Sequence, residues 1–211
     1  MKLENNLRTD TLWDIYETEY IPEQFVTTGS NYMIGNGYLG YRGTFADDTA
    51  DDYVACVVTD TYDNADGVWK ELVTAPNGLY TAIRYNGTYV PRHAADGVSP
   101  DRYRRSLDYR YGEWFSEVAY RGIGVSVRED RFASAAAIHT IVGKTEIVAE
   151  REGTIEIVTG IDGAVWSLNG DHFASKRGDR DGDSIEIAAV TGEHGYDLVV
   201  RERAVVTGAK G

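Results

Sequence analysis

Residues 30–43 read SNYMIGNGYLGYRG and carry four glycines, Gly35, Gly37, Gly40 and Gly43. Glycine belongs where the chain takes a positive φ or where two backbones pass close together. Met33, Ile34, Tyr38, Leu39 and Tyr41 stand between the glycines and supply apolar surface. The stretch reads as two short strands joined by a tight turn at Asn36-Gly37, because Asn-Gly provides the positive φ values of a type I′ hairpin. Arg42 closes the second strand and is expected to be held by a carboxylate or by carbonyls. The spacing Gly35-x-Gly37-x-x-Gly40 also matches a dinucleotide-binding fingerprint, but that motif works only between a strand and the N-terminus of a helix. Here it runs into Tyr41-Arg42-Gly43-Thr44-Phe45 and an acidic run, with no amphipathic helix, so the hairpin reading stands.

Upstream, residues 11–21 (TLWDIYETEYI) alternate, which predicts a strand with Trp13, Ile15 and Glu17 on one face, ended by Pro22. Downstream, residues 47–52 place four carboxylates in six positions, a spacing that fits no calcium loop and reads as a solvated loop. Residues 53–61 read as a strand. Cys56, the single cysteine, lies inside its apolar run and is expected to be a small core residue. Residues 79–90 (LYTAIRYNGTYV) form the clearest hairpin, turning at Asn86-Gly87. A series of short strands follows over residues 106–111, 114–121, 124–132, 136–142, 145–150, 154–159, 184–190 and 196–206, with an exposed turn at 179–183. No long segment has helical period. Strands spaced in this way give an all-β chain, an antiparallel β-sandwich or barrel.

Composition narrows the function. The 211 residues suit one domain with a sizeable core, and 15 tyrosines exclude a disordered chain. A net charge of -13 argues against nucleic acid and anionic membrane as partners, since both are polyanions. Neither a signal peptide nor a membrane span is evident, so the expected location is cytoplasmic. His93, His139, His172 and His194 are isolated in sequence, and no nucleophile elbow, zinc-protease motif or phosphate loop is present. The polar stretch from Tyr62 to Lys70 is the expected sugar-contacting loop: Tyr62 and Trp69 offer aromatic faces and Lys70 a cation. The competing reading has Trp69 folded back over the core.

The chain resembles the N-terminal domain of the disaccharide phosphorylases of glycoside hydrolase family 65, which act on maltose, trehalose, kojibiose or nigerose. The resemblance is carried by Trp13-x-Ile15-x-Glu17, Pro22-Glu23 and the core Gly35-Asn36-Gly37-Tyr38-Leu39-Gly40-Tyr41-Arg42-Gly43, with support from residues 103–108 (YRRSLD) and Asp130-Arg131-Phe132. It implies a super-β-sandwich of the galactose mutarotase type, with residues 1–211 as a single N-terminal domain of a longer protein. It places the chemistry in a following (α/α)6 barrel, where a glutamic acid protonates the leaving oxygen and inorganic phosphate, as co-substrate, takes the place of water. No cofactor and no metal are implied, and no catalytic residue falls within residues 1–211. The implied partners are the barrel, a di- or oligosaccharide and a second copy in a homodimer. The alternative is a free-standing carbohydrate-binding or mutarotase-like sandwich, for which His139 and His172 would have to converge with a glutamate.

Overall fold

The structure, a computed structural model, describes residues 6–65, 67, 69–92 and 98–208. His93 lies outside them, as do Asp66 and Val68 of the loop that follows Tyr62. The described chain is antiparallel throughout. A five-stranded sheet runs in the order β1 (Asp14–Glu17), β8 (Arg102–Asp108), β9 (Glu113–Tyr120), β10 (Val125–Ala133), β11 (Ile141–Ala149). A four-stranded sheet joins β2 (Ile34–Gly35), β3 (Leu39–Tyr41), β4 (Cys56–Asp63) and β5 (Glu71–Ala75). Two three-stranded sheets complete the set. One runs β12 (Ile155–Asp162), β6 (Asn77–Tyr85), β7 (Thr88–Tyr89), and the other is β13 (Phe173–Asp181), β14 (Ser184–Thr191), β15 (Asp197–Arg203). The chain is thus an all-β sandwich.

The main core is one cluster that includes Ile15, Tyr41, Phe45, Ile83, Tyr103, Trp114, Val118 and Val127, drawn from the five-stranded sheet on one side and from β3 and β6 on the other. Alternation explains it: β8 and β9 turn every second residue inward, so Tyr103, Leu107, Trp114 and Val118 share the buried face. A second, smaller cluster of Val73, Ala75 and Leu198 joins β5 to β15. Cys56 packs against both clusters, and burial pushes its thiol up to about 12.

The glycine stretch is the hub of this arrangement, although its turn is not the one expected. Gly37 has φ +89°, but Asn36 does not enter the left-handed region. Asn36 instead accepts the backbone N–H groups of Tyr38 and Leu39 on its own side-chain oxygen, at 3.1 and 3.0 Å. Its amide nitrogen donates to the carbonyls of Ser134 and Ile138, tying the hairpin to a loop 98 residues away. A side chain holds the turn where a type I′ turn would have used backbone freedom. At residues 79–90 the expected turn does form, with Asn86 at φ +50° and Gly87 at φ +79°.

Three arginines converge on the end of the hairpin. Arg42 donates to the carbonyls of Val26 and, at 3.0 Å, Tyr53, as expected. Arg105 donates to the carbonyl of Gly43 at 3.1 Å and Arg131 to that of Thr44 at 2.6 Å. Arg105 is 1% exposed; it pairs with buried Glu17 at 2.9 Å and lies over the ring of Tyr32 at 4.4 Å. Tyr103 donates its hydroxyl to the same Glu17. Gly43 has no room for a side chain, since a Cβ there would fall 2.3 Å from Cβ of Tyr32.

Several local expectations are corrected. The first strand begins at Asp14, and Trp13 stands outside it, 50% exposed under the guanidinium of Arg110. Pro22 starts a seven-residue helix, α1 (Pro22–Thr28), where its lack of an N–H costs nothing. The acidic run is not a solvated loop. Asp47 and Asp48 are buried, and Asp47 shares buried Arg92 with Glu129, each at 3.3 Å. Residues 134–140 form a loop closed by a Ser134 N–H to Thr140 carbonyl bond, and the strand begins only at Ile141. Strand β13 had no counterpart in the sequence reading.

Candidate functional site

The candidate site lies where the end of β4 and the start of β5 meet the turns that flank β13 and β14. Asp63 ends β4 and is fully buried. Its carboxylate accepts the backbone N–H groups of Ala65, Glu193 and His194 at 3.1, 3.1 and 3.3 Å. Burial alone would raise its pKa, but these donors outweigh burial and hold the carboxyl down at about 2. Glu71 opens β5 and accepts the N–H groups of Asn169 and Leu168 at 2.8 and 3.2 Å. Desolvation opposes its ionisation too. The Asn169 amide and His172 more than offset it, so its carboxyl lies below the usual range.

His172 sits between the two acids. Its imidazole is buried, with Nε2 2.7 Å from Glu71 and Nδ1 3.5 Å from Asp63. On the solvent side, Lys70 Nζ is 2.7 Å from His194 Nε2 and 3.8 Å from Glu193, while His194 Nδ1 is 3.1 Å from the other oxygen of Glu193. An open recess of about 400 Å³ adjoins the cluster, lined in part by Asn64, Asp171, His172 and Glu193. The arrangement offers carboxylates and imidazoles to a polar or cationic ligand.

Of the expected contact residues, only Lys70 belongs to this cluster. Tyr62 is 48% exposed on β4, and Trp69 is 55% exposed in the loop before β5, so Trp69 is not folded over the core. The loop itself is anchored: Asn169 donates its side-chain amide to the carbonyl of Trp69, and Gly67 is so close to Asn169 that a Cβ there would meet its Cγ at 2.2 Å. His139 stacks edge-on against Tyr38, with ring centroids 4.2 Å apart, and shares no partner with His172. The residues of the glycine core, Gly35, Asn36, Gly37, Gly40, Arg42 and Gly43, lie in and beside the hairpin and not in this cluster. Sequence reading missed Asp63, Glu71, Glu193 and the company kept by His172 and His194. The partners are up to 131 residues apart, and no local spacing announces them.

With the geometry in hand, comparison with known proteins assigns the chain. A family model described as glycosyl hydrolase family 65, N-terminal domain, matches residues 15–211. The chain belongs to this family. Its relatives include a 1,2-alpha-glucosylglycerol phosphorylase of Bacillus selenitireducens, 42% identical over 80% of this chain and 22% of that protein. A nigerose phosphorylase of Lachnoclostridium phytofermentans is 31% identical over 76% of this chain and 21% of its own length. A solved structure assigned as a kojibiose phosphorylase from the human microbiome superposes with a TM-score of 0.75 at 13% identity, over 97% of this chain and 31% of that one, and so shares the fold. The family 65 domain described here therefore spans about a fifth of the length of these curated relatives. Among its described residues, no helix is long and apolar enough to cross a membrane.

Proposed function

We propose that this family 65 domain is the non-catalytic N-terminal sandwich of a phosphorylase that cleaves an α-glucosidic bond with inorganic phosphate, and that it buttresses a C-terminal (α/α)6 barrel which carries the chemistry. One observation supports this above the rest. The charged side chains at the centre of the family signature are engaged within the domain: Glu17 and Arg105 pair in the core, and Arg42, Arg105 and Arg131 are committed to backbone carbonyls. An acid that protonates a leaving oxygen, and cations that gather phosphate, must face an open cleft. These groups are taken up by partners inside the domain instead.

The substrate reading follows the relatives. With 42% identity to the glucosylglycerol enzyme and 31% to the nigerose enzyme, the parent protein is proposed to act on a small α-glucoside, glucosylglycerol first. The parent is further read as a cytoplasmic homodimer in which the loop from Tyr62 to Lys70 reaches toward the sugar. The full-length protein, incubated with phosphate and each of glucosylglycerol, nigerose, kojibiose, maltose and trehalose, is expected to release glucose 1-phosphate from at least one. Residues 1–211 alone should release none. Sugar phosphate formed by the isolated chain defeats the proposal. For the loop, Trp69→Ala in the full-length protein should raise KM for the glucoside, and unchanged kinetics remove the loop from the sugar site.

A further inference from the structure

We propose that Asp63, Glu193 and His194 form a binding site for a divalent transition-metal ion, zinc in preference to calcium or magnesium, in which Lys70 is the competing resident cation.

The ligand atoms come first. One donor atom from each of Asp63, Glu193 and His194 lies within 4.8 Å of the others. Two carboxylates and an imidazole suit zinc, whereas calcium seeks six to eight oxygens and magnesium an oxygen octahedron. The scaffold is also set before any ion arrives. The backbone N–H groups of Glu193 and His194 both donate to Asp63, so the turn that carries two ligands is built upon the third.

A second, independent feature points the same way. His172 is 1% exposed, and its Nδ1 has no hydrogen-bond partner although it faces Asp63 at 3.5 Å. Burying an unmade hydrogen bond is costly. Glu71 holds the opposite ring nitrogen at 2.7 Å and so keeps Nδ1 turned toward the cluster. The ring is thereby fixed between Glu71 and Asp63, with its open nitrogen against the buried ligand of the cluster.

The third feature is the cation already present. The Lys70 ammonium lies 2.7 Å from His194 Nε2 and 3.8 Å from Glu193, while its side chain is 52% exposed. A positive charge is thus already at home against these ligands. An entering ion can send Lys70 to solvent at little cost, since an exposed lysine is well hydrated.

The experiment is calorimetric titration of the 211-residue chain with zinc, calcium and magnesium chlorides, with circular dichroism of each variant to confirm folding. Zinc should bind one ion per chain, with calcium and magnesium far weaker. His194→Ala and Glu193→Gln, both at the surface, should each weaken zinc at least about tenfold. Lys70→Ala should tighten it, because the competing ammonium is gone, a response that a casual surface histidine site does not give. His139→Ala should change nothing. Absence of zinc binding, wild-type affinity in His194→Ala, or no tightening in Lys70→Ala would each overturn the proposal.

Discussion

The five-stranded sheet and the β13–β14–β15 sheet have ladders of the same kind and very different contents. In β8, β9 and β10 every second side chain is buried, and the sheet encloses an aromatic core threaded by the Glu17–Arg105 and Glu129–Arg131 pairs. In β13 no residue is buried, and β14 and β15 contribute only Ala189, Thr191 and Leu198 to the interior. Val199 on β15 is 58% exposed. The outer sheet is held by its own hydrogen bonds, by a small apolar cluster with β5, and by the polar clamp of Asp63, Glu71 and His172. Cooperative stability should therefore reside in the first region, and the second should open more easily.

The largest expected effect comes from breaking the buried pair of the first region. Arg105→Ala leaves the buried Glu17 without its ion-pair partner, with only the Tyr103 hydroxyl beside it, at a cost of about 3–5 kcal/mol. Thermal melting should show the whole cooperative transition shifted down, and a shift confined to a minor phase would mean that stability does not reside in the first region. Next is Gly43→Ala, which forces a methyl against the backbone of Tyr32 and should cost about 1–3 kcal/mol or more in urea unfolding. Gly37→Val should cost roughly 1–3 kcal/mol, all of it conformational, because φ is +89° and nothing lies within 4 Å of the missing Cβ. An unaltered urea midpoint would mean the turn relaxes freely. In the outer sheet, Val199→Thr should move stability by no more than about 0.5 kcal/mol. A larger loss there would show that the exposed face is covered in solution.

The smallest effect is a pH slope in the second region. Glu202 on β15 is partly buried, and desolvation raises its pKa above 4.5, with a Thr159 hydrogen bond opposing. The folded state thus binds the proton more tightly than the unfolded state does. Its stabilising contribution is complete below about 4.5 and fades as pH rises through the raised value. Glu202→Gln should match the parent in acid and exceed it slightly at neutral pH, as read from melting temperature against pH.

These contrasts also explain what could be read from the sequence. Strands β8, β9 and β10 were legible because burial on one face imprints period two, and β6 through the turn at Asn86-Gly87 that follows it, whose backbone needs left-handed residues. Strand β13, FASKRGDRD, was illegible because neither face is buried, so nothing imprints alternation. The helix α1 is only seven residues long, too short to show a period, and a proline such as Pro22 ends a strand and starts a helix equally well. Asp47 looked solvated because Arg92, its partner, is 45 positions away. The candidate site was hidden for the same reason, with Glu71 and His172 separated by 101 positions.

The one thiol of the chain turns this architecture into a clock. Cys56 packs against both apolar clusters at once, and with its pKa near 12 almost no reactive thiolate exists at neutral pH while the sheets stay closed. Cys56 is nonetheless half-buried, so a thiol-reactive dye should label the folded protein slowly and label it faster whenever β4 parts from its neighbours. The rise in labelling rate in dilute urea then reports the opening of the sandwich at the seam between its two cores, without an engineered probe.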